Sequence, residues 1–89
     1  MFTIRVISYV GDLDDADDII VIGPYDTQAA RDTELERLAN MRGLSGMFEF
    51  ERSDIPVGLA SVTSVDAAKV AAMPSTANDD ALSEIIWGA

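Results

Sequence analysis

Apolar and polar positions alternate from the start of the chain. In residues 2–10, Phe2, Ile4, Val6 and Val10 fall on one side of an extended backbone, and Thr3, Arg5, Ile7 and Tyr9 on the other. That period of two predicts a strand with one face apolar and the second partly so. The run Ile19-Ile20-Val21-Ile22-Gly23 is β-branched without alternation and predicts a central strand buried on both faces. Between the two runs lies GDLDDADD, residues 11–18, a polar connection whose length suits a hairpin with a long loop. Residues 46–52, GMFEFER, alternate again, with Phe48 and Phe50 on one face and Glu49 and Glu51 on the other. Residues 57–62 can form a further strand after the Pro56 loop.

The period changes after Gly23-Pro24-Tyr25-Asp26-Thr27. Gly supplies a free backbone, Pro stops the ladder, and Asp26 or Thr27 can cap a first helical turn. Residues 28–42 have helical composition, with Ala30, Leu35, Leu38 and Met41 on one side and Gly43 as the expected stop. Glu34 and Arg37 stand one turn apart and predict a local ion pair. Ser64 can cap a short alanine-rich helix over residues 65–73, ended by Pro74. Residues 74–80, PSTANDD, read as a flexible connector. The closing stretch around Ile85, Ile86 and Trp87 fits an edge strand, a docked helical turn or an exposed recognition tail, and the pattern leaves all three open.

The order is ββαββα plus a tail. It predicts a single small α+β domain, with a mostly antiparallel sheet of about four strands, one main helix packed on one face and a short second helix. The domain spans residues 1–73; residues 74–89 form a linker and C-terminal tail that can dock on it. A chain of 89 residues has room for one modest core.

Composition narrows the chemistry. With no Cys there is no disulfide, thiolate nucleophile or cysteine metal site, and with no His the usual neutral-pH acid/base is missing. No apolar run approaches the roughly 20 residues of a membrane span, and residues 1–11 read as a strand and not a signal peptide, so a cytoplasmic protein is expected. Sixteen acids against six bases give a formal charge of −10. Phosphate backbones repel such a chain, which disfavours direct nucleic-acid binding, whereas basic protein surfaces attract it. Solubility alone is the plainer explanation of the same charge.

Residues 20–25, IVIGPY, followed by Ala29-Ala30 and Leu38, resemble the strand-to-helix unit of SPOR-type domains, which bind septal peptidoglycan. The stretch from Val57-Gly58 to Ala71 is similar to that family's second strand-helix unit. The added N-terminal strand and the acidic loop depart from the family's pattern. The turn unit, the many Ala and Asp, and five Arg against one Lys also resemble small uncharacterised acidic proteins of actinobacteria and their phages. That resemblance implies an accessory protein in the host cytoplasm.

Little catalytic chemistry can be placed. An EF-hand loop starting at Asp12 would have Asp14 at its third position, but Ala16 at its fifth, Asp17 where Gly is required and Gly23 where a bidentate Glu belongs. A looser, weak divalent-cation site from Asp14, Asp15 and Asp17 is an alternative, though no metal ligand set is assigned. There is no phosphate loop, no nucleophile elbow and no cofactor motif. The expectation is therefore a non-enzymatic protein-interaction module, such as a phage-encoded factor that binds or inhibits a host protein. Its acidic surface would comprise Asp12, Asp14, Asp15, Asp17, Asp18, Glu49 and Glu51, with a partner carrying a basic surface. Ile85, Ile86 and Trp87 form a second, apolar candidate, since Trp is a frequent hot spot. Open sheet edges also make a homodimer an alternative. A SPOR-like wall-binding or structural module is the remaining reading.

Overall fold

A computed structural model describes residues 1–8, 19–44 and 46–87. Four strands, β1 (Phe2–Ser8), β2 (Ile19–Tyr25), β3 (Phe48–Ser53) and β4 (Val62–Asp66), form one mixed sheet in the order β3-β1-β2-β4. The helices are α1 (Gln28–Ala39), α2 (Ala67–Ala71) and α3 (Asp79–Trp87). β1 runs antiparallel to both β2 and β3, and β4 pairs parallel to β2. The expected α+β class and mostly antiparallel sheet are thus found, with three helices in place of two.

β2 is the central strand that its uninterrupted apolar run predicts: Ile20, Val21, Ile22 and Gly23 are all buried. Ile4, Val6, Ile20, Ile22, Phe48 and Val65 project from one face of the sheet into the core, where Leu38, Met41 and Leu44 meet them. Val70, Met73, Ala77, Leu82 and Ile86, from α2 to α3, belong to the same core.

The two crossovers use opposite faces, and topology says why. From β2 through α1 to β3 the chain crosses the sheet one way over the core face; from β3 to β4 it crosses back. Keeping one hand for both parallel connections requires the return to run over the other face. Thr3 Oγ1 shares its proton between Ser53 O (3.0 Å) and Ile55 O (2.9 Å), and the Gly58 N–H donates to Ser64 Oγ (2.7 Å). Thr3 and Ser64 both lie on the face opposite the core, beside fully buried Val21. Gly58 turns this helix-free crossover with φ +86°, a conformation that costs glycine nothing sterically.

Several boundaries differ from the sequence pattern. Pro24 does not stop the ladder: β2 continues to Tyr25 by holding one extra residue opposite Thr3, with Gly23–Pro24 as a cis peptide. Such a bulge lets a proline sit inside a strand. Thr27 caps α1, accepting from the Ala30 N–H at 3.1 Å. α1 ends at Ala39, earlier than Arg42, because Asn40 closes it by donating its side-chain amide to Glu36 O (2.9 Å). Gly43 is therefore no helix cap; its missing side chain admits the backbone of Ala77 and Asn78, whose Cα would lie 2.9 Å from a Cβ at this position.

Ala30 is exposed, and Arg31 takes the buried place beside it. The fourth strand is Val62–Asp66 and not residues 57–62, so Ser64 lies within it and Asp66 caps α2, accepting from the Ala68 N–H at 2.9 Å. The ladder to the buried central strand outweighs the local cap at Ser64. Residues 74–80 are no free connector: Ala77 is buried and α3 begins at Asp79.

Candidate interaction surface

α1 is fastened at both ends by arginines. Arg31 is 4% exposed, its guanidinium 5.6 Å from the Phe2 ring centroid, its Nε donating to Asp32 at 2.7 Å and its Nη1 reaching Ser53 O at 3.4 Å. Arg37 pairs with Glu34, as the one-turn spacing predicts, and also donates to Val70 O (2.9 Å) and Met73 O (3.1 Å). It thereby satisfies carbonyls at the end of α2, a role that sequence spacing does not reveal. Near this junction the Tyr25 hydroxyl is buried with no hydrogen-bond partner among the described residues. Burial holds its pKa well above the usual phenol range; Glu34 adds to the shift and Arg37 opposes it.

Arg52 lies 3.4 Å from Asp32, and Arg5 lies 3.5 Å from Glu51. Four of the six cations are thus held against carboxylates of the same chain, while Glu36, Glu49, Asp54, Asp80 and Glu84 are exposed. The surplus negative charge is displayed outward.

β3 brings acids to the rim of the sheet. Its alternation buries Phe48 and half-buries Phe50 on the core side, and sends Glu49 and Glu51 to the opposite face. Among the described residues β1 is the one strand that pairs with β3; the Phe48 N–H donates to Leu44 O (2.9 Å) and Ser53 O accepts from Thr3 and Arg31, so the open part of the outer edge lies between these two residues. Asp12, Asp14, Asp15, Asp17 and Asp18 lie outside the described residues.

The apolar candidate divides. Ile86 is buried and Ile85 half-buried, packed on the core, whereas Trp87 remains 51% exposed with its ring 6.4 Å from that of Phe48. Trp87 and the 40% exposed Met47 therefore stand at the start of β3, beside the acidic edge. Alternation within residues 46–52 places Met47 on the exposed face with Glu49 and Glu51, but an apolar residue there draws no notice beside two acids. At the other end of β3, Phe2, Gln28, Arg31, Arg52, Ser53 and Asp54 line an open cleft of about 330 Å³, with two arginines against one aspartate. Among the described residues no three acids gather as a metal ligand set, and no helix is long and apolar enough to cross a membrane.

Compared with known proteins, the chain matches no family model, no curated protein and no solved structure.

Proposed function

We propose that this protein is a non-enzymatic interaction module that engages a basic protein surface through its acidic sheet edge. One observation carries the reading: Glu49 and Glu51 stand exposed on the outermost strand, while most of the chain's cations are held by its own carboxylates. A positive partner patch then meets little competing positive charge, and the −10 net charge steers its approach.

The test is affinity capture from a lysate of the source organism, comparing the wild-type chain with Glu49→Lys/Glu51→Lys. The expected result is a protein retained by the wild type at low salt, released by salt and absent from the variant's eluate. Identical eluates from the two chains would contradict the reading.

A further inference from the structure

We propose that β3 accepts an extended segment of the partner as an added strand, in which Lys or Arg alternates with apolar residues. This deepens the acidic-surface reading and rests on it.

Between Phe48, whose N–H already donates to Leu44 O (2.9 Å), and Ser53, whose carbonyl accepts from Thr3 and Arg31, the outer edge of β3 offers the backbone groups of the alternate residues that point away from β1. In strand addition those groups supply affinity and the alternate side chains supply specificity. Glu49 and Glu51 are two residues apart, about 7 Å along the strand, on one face of the sheet. An incoming strand would place its own alternate residues directly opposite them, where opposite charges attract and like charges repel. Cations at those positions are the match. The residues between them fall on the core side, toward half-buried Phe50 and the exposed Trp87 that stands against Phe48, where apolar side chains fit. Arg5 holds Glu51 from the inner strand without covering it.

A second copy of the chain does not satisfy this edge. Two antiparallel β3 strands sharing a continuous sheet must pair residues of the same face. The registers centred on Glu49, Phe50 or Glu51, which use most of the strand, then set Glu49 against Glu49, Glu49 against Glu51, or Glu51 against Glu51. The edge resists self-pairing and selects a basic strand. β4, at the other rim, is less suited: it has five residues, α3 packs against it, and its one acid, Asp66, is engaged in capping α2.

The experiment uses the full chain and two short blocked peptides of identical composition, one alternating Lys and Val and one with its Lys contiguous. Affinity is read from the fluorescence of the sole tryptophan, Trp87, and location from amide hydrogen exchange. The alternating peptide is expected to bind roughly tenfold tighter than its isomer, from two matched cross-strand pairs, and to add exchange protection within Phe48–Ser53. Equal affinity of the two peptides with no new protection in β3 overturns strand addition and leaves the acidic-surface reading standing. Binding of neither peptide at low salt overturns both.

Discussion

At the scale of single residues, two positions do work their letters do not announce. Tyr25 closes a strand, yet its hydroxyl is buried without a partner among the described residues. Replacing an unsatisfied buried polar group by its apolar isostere recovers a desolvation cost, so Tyr25→Phe should stabilise the fold by about 1 kcal/mol in urea denaturation. The pH dependence follows the same cause. The hydroxyl's pKa is raised on folding, so its contribution is fully present below the unfolded pKa of about 10 and is lost as the pH rises above it. Alkaline destabilisation setting in there should be weaker in the Phe variant; equal loss in both would refute the assignment. Gly43, read from sequence as a helix stop, is a contact point for the backbone of residues 77–78. Backbone cannot yield as a flexible side chain does, so Gly43→Ala should cost about 1–3 kcal/mol by the same measurement.

At the scale of elements, what could be read in advance was what periodicity encodes. β1, β2 and β3 follow from alternation or from an unbroken β-branched run. Glu49 and Glu51 were legible as an exposed pair because Phe48 and Phe50 fix which face of β3 is buried. The misplacements share one physical origin: the deciding partner is distant in sequence. Residues 62–66 become a strand because the buried β2 lies open to them, and Arg31 is buried because Phe2, Asp32 and Ser53 O receive it. The tail could not be resolved because a short apolar stretch suits helix or strand equally; α3 forms where Leu82 and Ile86 reach the core. Leu82→Ala should therefore cost about 2–5 kcal/mol, and removing residues 81–89 should leave a chain without a cooperative thermal transition. Arg37→Met, which strips the donors reaching Val70 O and Met73 O, should cost on the order of 2 kcal/mol while leaving α1 itself helical by circular dichroism.

At the scale of the molecule, charge sets two opposing salt effects. A net charge of −10 strains the compact state by self-repulsion, so added salt should raise the midpoint of thermal unfolding. The same salt should weaken capture of a basic partner. The central claim is that the acids of β3, and not net charge alone, confer recognition. The direct measurement is the affinity of the alternating Lys–Val peptide for two variants of equal net charge: Glu49→Lys/Glu51→Lys on β3, and Glu36→Lys/Asp80→Lys on exposed helical positions. If recognition resides in β3, only the first variant loses roughly tenfold or more in affinity, while the second stays near wild type. Equal loss in both variants would contradict it, reducing the acidic edge to one part of a uniformly negative surface.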